Sequence, residues 1–437
     1  MSLDDNHNVP PPATDTAGDL IADLEARNLV HDSTDLEFLR AQVAEGPTGI
    51  YYGCDPTADS LHVGNLIGLV VLRRFQDAGH LAIALAGGAT GMIGDPGGRS
   101  EERNLLDEET LTYNVGRIKE QLGRVVDLTD AERGQLVDNR DWTQPITVLE
   151  FLRDVGKYVT VNQMLARESV KIRIDSEHGI SFTEFSYMLL QANDYLWLHD
   201  NLGCTIQVGG SDQWGNILSG VDFIRRKRQH QVHAFCWPLM TASDGTKLGK
   251  TTGARIWLDA AKTSPYQLRQ YFMQTADADV EQQLLTFSLR PVAEIRDIAA
   301  RHAEAPQQRI GQKTLADDMV TLIHGDDAKV AANEAADLLF SNDPTGASEA
   351  AFETLAEEIP HTQMKASELD DPIAVLVATE LAKSNGDARR TWAQNAYYAN
   401  GVQLGEKDQL TGQKLLHDRF LLLRKGKKSH HLVEIIL

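Results

Sequence analysis

Short apolar segments alternate with longer amphipathic ones from about residue 46 to residue 261. Two of the apolar segments, at 81–86 and 205–208, are followed directly by glycine pairs, and a third occupies residues 49–54. A strand, a glycine turn and a helix in repeated order are typical of a parallel β-sheet covered by helices. Ligands of such sheets bind outside the carboxyl ends of the strands, which is where these glycines fall.

The rest of the chain predicts smaller parts. An N-terminal tail rich in proline and polar residues is expected to be disordered. The part that follows the sheet has apolar residues at helical spacing only, and after it come an acidic, linker-like stretch and a mixed segment. The predicted fold class is α/β, with a disordered tail over 1–18, a sheet domain over 19–262, an all-helical domain over 263–342, a linker over 343–363 and a small α+β domain over 364–437.

Charge limits the partners of this chain. It has 42 Lys and Arg residues against 63 Asp and Glu residues, a formal net charge of −21. Phosphates are therefore repelled at long range, and nucleic acid can bind only at local basic patches. One candidate patch is Arg225-Arg-Lys-Arg228, which a solvated helix surface explains equally well. The other, between Lys414 and Lys428, has six cations and one acidic residue, Asp418.

Composition argues against several classes of protein. No apolar run approaches the about 20 residues of a membrane helix, and the N-terminus lacks the pattern of a secretory signal, so no membrane association is expected. Cys54, Cys204 and Cys236 show no C-x-x-C spacing, so neither a disulfide framework nor a zinc cluster is indicated. A reducing cytoplasm is the expected location.

The segment Asp55-Pro-Thr-Ala-Asp-Ser-Leu-His-Val-Gly-Asn65 follows a predicted strand and opens a predicted helix, for which Ser60 is the expected N-cap. Free backbone N–H groups and the positive end of the helix dipole suit phosphate there. Thr57 and His62 offer hydrogen-bond donors, and Gly64 lets a flat ligand lie against the backbone. A capped helix with a buried histidine is the alternative explanation of this segment taken alone.

A second segment, Asp244-Gly-Thr-Lys-Leu-Gly-Lys-Thr-Thr252, is rich in glycine and carries Lys247 and Lys250. Two lysines on a loop can neutralise phosphate charge, although an ordinary solvated loop has the same composition. The segment nearly matches the phosphate-binding loop G-x-x-x-x-G-K-[ST], but Asp244 stands in place of the first glycine and the segment comes late in the fold. We therefore reject the P-loop and retain phosphate binding.

Together the two segments resemble the paired signatures of class I aminoacyl-tRNA synthetases, H-I-G-H and K-M-S-K-S. They stand here as His62-Val-Gly-Asn65 and Lys247-Leu-Gly-Lys-Thr251. The blocks at residues 51–62, 87–96, 182–191 and 209–216 narrow the resemblance to the bacterial-type tyrosyl-tRNA synthetases, and it covers residues 21–437.

This resemblance implies a ligase that activates L-tyrosine with ATP to tyrosyl-adenylate and pyrophosphate, and then transfers tyrosine to the 3′ end of tRNA(Tyr). It implies a Rossmann-like catalytic domain, an all-helical anticodon-binding domain and an S4-like RNA-binding domain. The basic face of the last would combine Ala388-Arg-Arg390 with Arg424-Lys-Gly-Lys-Lys428. ATP would be a substrate that arrives with Mg²⁺, with no tightly bound cofactor and no metal site of the protein. The implied assembly is a homodimer with tRNA spanning both subunits.

The resemblance also assigns the tyrosine pocket. Tyr51 and Asp194 would bind the phenolic hydroxyl, while Asp95, Tyr187 and Gln191 would hold the α-ammonium group. These residue types suit their roles, because a cation needs acceptors and a buried carboxylate needs a donor. Without the resemblance, Tyr187 would be expected in the core and Asp194 on an exposed helix surface.

For ATP, the resemblance places Thr57 and His62 at the γ-phosphate and keeps a ribose contact for Asn65. The residues that would close over the pyrophosphate are Lys247, Lys250, Thr251, Arg99 and Arg103. The residues that would line the adenylate are Gly53, Asp55, Gly64, Asp212 and Gln213.

Three departures from the family pattern are Asn65, Leu248-Gly249 and Cys54, and an active enzyme is predicted in spite of them. Two other functions stay open. A tryptophanyl-tRNA synthetase would share the fold but lacks the S4-like segment, and a catalytically silent RNA-binding paralogue would use only that segment.

Overall fold

A six-stranded sheet lies at the centre of the first part of the chain. The computed structural model describes residues 19–95, 106–174, 179–241, 243, 250–251, 254–339, 343–426 and 429–436. The strands of this sheet are β1 (Asp32–Ser33), β2 (Gly49–Cys54), β3 (Leu81–Ala86), β4 (Gly134–Asp138), β5 (Cys204–Gly210) and β6 (His233–Trp237). The three strands predicted from the sequence are confirmed, with β5 extending further at both ends.

The order of these strands explains where a cleft opens. They lie in the order β1-β6-β5-β2-β3-β4, and all neighbours are parallel except β1, which pairs antiparallel with β6. From β2 the chain moves outward to β3 and β4, and then returns to the other side of β2 to form β5. Connections leave in opposite directions from the gap between β2 and β5, so a crevice is expected at the carboxyl ends of those two strands.

Ten helices accompany the sheet within the described residues. They are α1 (Leu20–Ala26), α2 (Leu36–Glu45), α3 (Val63–Asp77), α4 (Glu108–Val125), α5 (Arg140–Thr143), α6 (Val148–Asp154), α7 (Val161–Leu165), α8 (Glu168–Ile174), α9 (Phe182–Leu202) and α10 (Trp214–Arg228). A short hairpin follows, made of β7 (Lys250–Thr251) and β8 (Ala254–Arg255). Helices α9 and α10 pack their buried Tyr195, Leu198 and Phe223 into the core beside β5.

The next part of the chain is helical, as the apolar spacing predicts. Its helices are α11 (Pro265–Met273), α12 (Val280–Phe287), α13 (Val292–Glu304), α14 (Ile310–His324) and α15 (Asp326–Leu338). After them come α16 (Glu349–Glu358), β9 (His361–Lys365), α17 (Pro372–Ala378), α18 (Asn385–Ala393), β10 (Tyr397–Ala399), β11 (Val402–Gln403), β12 (Phe420–Lys425) and β13 (Ser429–Ile436). The segment predicted as a linker over 343–363 therefore contains a helix and the start of a strand.

The described residues form two compact units that do not follow the predicted boundaries. One comprises those within Met1–Thr263 and Tyr271–Ile323, and the other those within Ser264–Gln270 and His324–Leu437. The division runs through the segment predicted as a separate helical domain. The boundaries at residues 262, 342 and 363 are drawn between segments of different expected function, and in that sense they stay predictions.

Two buried arginines explain why α12 belongs to the first unit. Arg27, the C-cap residue of α1, is 1% exposed, and its guanidinium donates to the carbonyl oxygens of Leu285, Ser288 and Arg290. Arg74, near the end of α3, also donates to the carbonyl of Ser288. A helix end leaves several carbonyls without partners inside the helix, and these cations satisfy them at the end of α12.

The second unit has its own sheet and core. Its five strands lie in the order β11-β10-β12-β13-β9, with only β13 and β9 parallel. Phe352 of α16 stacks on Phe420 of β12, with ring centroids 5.5 Å apart. Within the described part of the chain, no helix has both the length and the apolar content needed to cross a membrane.

Candidate active site

A cleft of about 760 Å³ opens at the carboxyl ends of β2 and β5. It is lined by every predicted site residue whose side chain is described: Tyr51, Gly53, Asp55, Thr57, His62, Gly64, Asn65, Asp95, Tyr187, Gln191, Asp194, Asp212 and Gln213. These residues come from four separated parts of the sequence, and the strand order β5-β2-β3 brings them together.

The other predicted residues cannot be placed in this way. Arg99, Arg103 and Lys247 lie outside the described residues. The backbone of Lys250 and Thr251 forms β7, and their side chains lie outside the described part of the chain.

The carboxylate of Asp194 lies deep in the cleft and is 2% exposed. Trp142 Nε1 donates to its Oδ1 at 2.8 Å, and Asn139 Nδ2 donates to its Oδ2 at 2.9 Å. Burial raises the pKa of Asp194 to about 7, although the two hydrogen bonds oppose this shift. The alternative expectation for Asp194, an exposed position on a helix, is therefore wrong.

Three buried polar atoms on the wall of the cleft have no partner among the described residues. They are the hydroxyl of Tyr51 and the Oε1 atoms of Gln191 and Gln207. Burying a polar group without a hydrogen bond is costly, so such atoms are normally paired by protein, water or a ligand. The ring of Tyr51 also lies beside Tyr195, with centroids 5.4 Å apart. This end of the cleft therefore has free hydrogen-bonding capacity for a polar ligand group.

A chain of hydrogen bonds connects Asp194 with Asp55 at the end of β2. Asn139 Nδ2 donates to Thr90 Oγ1 as well as to Asp194, at 2.9 Å in both cases. Thr90 Oγ1 donates to Asp55 Oδ1 at 2.7 Å, and the hydroxyl of Tyr187 donates to Asp55 Oδ2 at 2.8 Å. Burial, followed by the charge of Asp55, raises the pKa of Tyr187 well above its usual value. Tyr187 is thus a neutral phenol held by a carboxylate.

The carboxylate of Asp95 also lines the cleft, and two side-chain amides donate to it. Gln213 Nε2 donates to its Oδ2 at 2.6 Å, and Asn216 Nδ2 donates to its Oδ1 at 3.3 Å. Asn216 also donates to Gln213 Oε1 at 3.2 Å. These amides fix the orientation of a carboxylate that can accept further donors, as each oxygen has more than one lone pair.

The N-terminus of α3 differs from the prediction. His62, and not Ser60, is the N-cap, because His62 Nδ1 accepts from Gly64 N at 3.1 Å. Asn65 Oδ1 accepts from His62 N at 3.1 Å and completes a capping box. Ser60 instead donates to the Leu61 carbonyl at 2.7 Å. Asn65 therefore has a structural function that the comparison with the family signature did not predict.

The hairpin of β7 and β8, called the lysine hairpin here because it carries Lys250, is joined to the start of α3 by main-chain hydrogen bonds. Val63 N donates to Ile256 O at 3.0 Å, and Leu258 N donates to Leu61 O at 2.8 Å. These bonds flank a bridge between His62 and Trp257. Lys250 pairs with Arg255 across the hairpin, so the backbone that carries Lys250 leads directly to the residues that flank His62.

Neither Cys54 nor the basic run of α10 has a reactive arrangement. Burial raises the pKa of the Cys54 thiol to about 12, so it stays protonated. Arg226 and Lys227 donate to the carbonyls of Tyr158 and Asp154 at 2.7 and 2.8 Å. Arg228 pairs with Asp200 at 2.6 Å. These contacts favour the interpretation of 225–228 as a surface helix end.

Sequence reasoning missed several residues of the cleft and its support. They are Tyr52, Thr90, Asn139, Trp142, Gln207, Trp237 and Arg255. A glutamine within an otherwise apolar strand was a usable signal for Gln207. Nothing in the sequence alone indicates that Asn139 and Trp142, which follow β4, would reach a carboxylate on α9.

Comparison with known families defines the class of the protein. The family described as tRNA synthetases class I (W and Y) matches residues 43–341, and the tyrosine–tRNA ligase SYY-like C-terminal domain matches residues 351–433. The first match covers more than half of the chain. Together with the sheet order and the cleft, it defines a class I tRNA synthetase of the group specific for tryptophan or tyrosine.

Individual relatives narrow this class. The tyrosine–tRNA ligase of Opitutus terrae is 46% identical over 423 residues, which cover 95% of this chain and 100% of that protein. The Mycobacterium tuberculosis enzyme is 44% identical, covering 94% of this chain and 98% of its own. A truncated mitochondrial tyrosyl-tRNA synthetase of Aspergillus nidulans superposes with a TM-score of 0.68 at 34% identity, covering 74% of this chain and 94% of that one. The chain belongs to the tyrosine–tRNA ligase family, whose members are ligases that form an aminoacyl-tRNA.

The raised pKa of Asp194 predicts how stability depends on pH. Its folded-state pKa of about 7 exceeds the ordinary value of 3.8, so its contribution to stability is fully present below about pH 4 and is lost as the pH rises through about 7. The stability of the wild type relative to Asp194→Asn should therefore fall between about pH 4 and pH 7. Urea unfolding of both proteins across this range measures it, and a difference independent of pH would contradict the assignment.

Proposed function

We propose that the cleft binds L-tyrosine and ATP side by side and catalyses two group transfers. The tyrosine carboxylate attacks the α-phosphorus of ATP, forming the acyl–phosphate bond of tyrosyl-adenylate as pyrophosphate leaves. A terminal ribose hydroxyl of tRNA(Tyr) then attacks the acyl carbon, and AMP leaves. The unpartnered hydroxyl of Tyr51, close in the cleft to the buried carboxylate of Asp194, is the observation that carries this proposal.

The phenol of tyrosine fits the end of the cleft that contains Tyr51 and Asp194. The substrate hydroxyl donates to the carboxylate of Asp194 and accepts from the hydroxyl of Tyr51, which supplies the missing partner of Tyr51. Phenylalanine would leave the buried Tyr51 hydroxyl without a partner and would deprive the Asp194 carboxylate of a further donor. Sites of this kind reject the analogue that lacks the hydroxyl by about 10⁴- to 10⁵-fold, and tyrosyl-tRNA synthetases are the usual example.

The α-ammonium group of tyrosine would lie among Asp95, Tyr187 and Gln191. Gln191 Oε1 is a buried acceptor without a partner among the described residues. The oxygen of Tyr187 donates its proton to Asp55 and so keeps its lone pairs for an incoming N–H group. A cation held by three acceptors would orient the carboxylate of tyrosine toward the N-terminus of α3.

The nucleotide would occupy the part of the cleft beside α3. Its phosphates would lie at the N-terminus of that helix, the positive end of its dipole, with Thr57 and His62 at the γ-phosphate. The expected free N–H groups are not found there, because those of Val63, Gly64 and Asn65 already have acceptors within the chain. Gly53, Asp55, Gly64, Asp212 and Gln213 would line the adenylate, and Asn65 would reach the ribose. Lys247, Lys250, Thr251, Arg99 and Arg103 would surround the pyrophosphate, with Mg²⁺ arriving bound to ATP.

Positioning and charge stabilisation account for catalysis in this scheme. The attacking carboxylate is already ionised, so no general base is required for the first step. Lys247 and Lys250 would neutralise charge that develops on the leaving pyrophosphate. Among the described residues, no group of three or more His, Cys, Asp or Glu side chains is arranged to hold a metal ion.

ATP–pyrophosphate exchange with L-tyrosine and L-tryptophan in parallel tests this function. Exchange should depend on tyrosine and be absent with tryptophan, because an indole cannot pair with both Tyr51 and Asp194. Exchange with tryptophan alone would contradict the proposal.

A Lys250→Ala variant should slow adenylate formation by about 10²-fold or more. Unchanged adenylate formation in that variant would refute the role proposed for the hairpin.

We also propose that the second unit binds tRNA through an S4-like basic face. Arg389 and Arg390 are exposed on α18, while Arg424 and Lys425 end β12. Lys425 Nζ lies 3.4 Å from Asp387 Oδ2, which joins the start of α18 to the end of β12. The cations thus belong to two adjoining elements of an acidic chain, and helices from residue 264 onward would contact the anticodon region.

Charge reversal tests this face. The double variant Arg389→Glu, Arg390→Glu should raise KM for tRNA(Tyr) by about 10-fold or more and reduce the dependence of binding on salt by about two ions. ATP–pyrophosphate exchange does not involve tRNA and should be unchanged, which provides an internal control. Normal aminoacylation at all salt concentrations would rule out this face as a tRNA-binding surface.

A homodimer in the cytoplasm is the assembly and location that we propose. Large apolar side chains are exposed on α6, on α7 and at the first residue of α9. They are Val148, Leu149, Leu152, Val161, Leu165 and Phe182. Exposed apolar groups of this number are typical of protein interfaces, and a second copy of the chain is the partner that the family relation supports.

Sedimentation equilibrium tests the dimer. Leu149 is 79% exposed, and Leu149→Glu should weaken dimerisation by about 10-fold or more because a charge would be buried at the interface. Val402→Glu, at a site 63% exposed in the second unit, is the matched control and should leave the dimer intact. Equal dissociation of both variants, or a monomeric wild type, would overturn this assembly.

A further inference from the structure

Tyr52 is a residue of the cleft to which the sequence assigns no function. It lies on β2 between the proposed phenol-binding Tyr51 and Gly53, and it is 9% exposed. Its ring lines the cleft together with Asn65 and Trp237. Burial raises the pKa of Tyr52 well above its usual value, so its hydroxyl is a neutral donor and acceptor.

The ring of Tyr52 is packed directly against the backbone of α3. A Cβ atom added to Gly68 would overlap Cε1 and Cζ of this ring and would lie 2.7 Å from Cδ1. The ring also meets Trp237 edge-on, with centroids 5.6 Å apart and an interplanar angle of 61°. The ring therefore packs closely against α3 at Gly68, where any larger residue would force a shift, and also contacts the last residue of β6.

This packing places the Tyr52 ring beside the part of α3 that carries Asn65. Residues three apart in a helix lie on the same face, so Asn65 is one turn from Gly68, toward the N-terminus. Cζ, which bears the hydroxyl, lies over Gly68, and the Tyr52 and Asn65 side chains both line the cleft. Asn65 lowers the pKa of this hydroxyl, as a hydrogen-bond donor does, whereas Cys54, two residues along β2, raises it. Asn65 Oδ1 already accepts from His62 N at 3.1 Å. The remaining amide group, Nδ2, is a donor and is the one available to the Tyr52 oxygen.

We propose that Tyr52 is a positioning residue for the nucleotide half of the reaction. It holds the amide of Asn65, and Asn65 holds the backbone of His62, whose ring caps α3 where phosphate would bind. The sequence marks Asn65 as a departure from the family signature, and Tyr52 supplies the partner that keeps this asparagine in one orientation. This inference rests on the function proposed above.

The expected effect is confined to ATP. Tyr52→Phe removes one oxygen and keeps the ring against Gly68, so folding should be preserved. One neutral hydrogen bond corresponds to a change of about 2- to 10-fold in an equilibrium, and KM for ATP should rise by about this factor. KM for tyrosine should stay unchanged, because Tyr51 and Asp194 lie at the other end of the cleft.

A double-mutant cycle in the ATP–pyrophosphate exchange assay tests this relay. Tyr52→Phe, Asn65→Ala and the double variant are compared with the wild type and with Tyr113→Phe, a matched control at an exposed tyrosine of α4. If Tyr52 acts through Asn65, the double variant should have the same KM for ATP as Asn65→Ala alone. Additive effects, or a normal KM for ATP in Tyr52→Phe, would overturn the inference. A wild type without tyrosine-dependent exchange would instead refute the proposed function.

Discussion

The buried carboxylate of Asp194 constrains the cleft more than any other group, because a charge removed from water has to be paired or neutralised. Trp142 and Asn139 supply its partners, and both follow β4. Asn139 also donates a hydrogen bond to Thr90, and Thr90 donates in turn to Asp55, which follows β2. One network of hydrogen bonds therefore fixes the ends of β2 and β4 relative to α9, and it holds the tyrosine end and the nucleotide end of the cleft in a single rigid frame.

The same frame extends to the lysine hairpin by main-chain pairing. Residues 61–63 and 256–258 bond to each other on both sides of His62. Main-chain bonds do not depend on side-chain identity, so this connection is compatible with the departures at Asn65 and Leu248-Gly249. Two segments almost 200 residues apart in the sequence thus become neighbours, which explains how paired signatures can serve one nucleotide.

Much of this arrangement could be predicted, and the failures have physical causes. Apolar runs and glycine pairs identify β2, β3 and β5, because strand burial leaves a direct imprint on sequence. The cap of α3 at His62 could not be predicted, since Ser60 is the better N-cap by propensity and tertiary pairing to Trp257 decides the outcome. The support of Asp194 by Asn139 and Trp142, and the attachment of α12 to Arg27, depend on contacts between distant segments. No local pattern encodes such contacts.

The ratio of kcat/KM for tyrosine over phenylalanine, measured by ATP–pyrophosphate exchange, tests the central role of Asp194 and Tyr51 most directly. Wild type should favour tyrosine by about 10⁴-fold or more. Asp194→Asn and Tyr51→Phe should each reduce this ratio by about 10-fold or more, mainly through a loss of activity with tyrosine. Equal ratios in the wild type and both variants would show that the phenol is recognised elsewhere and would contradict this account of the cleft.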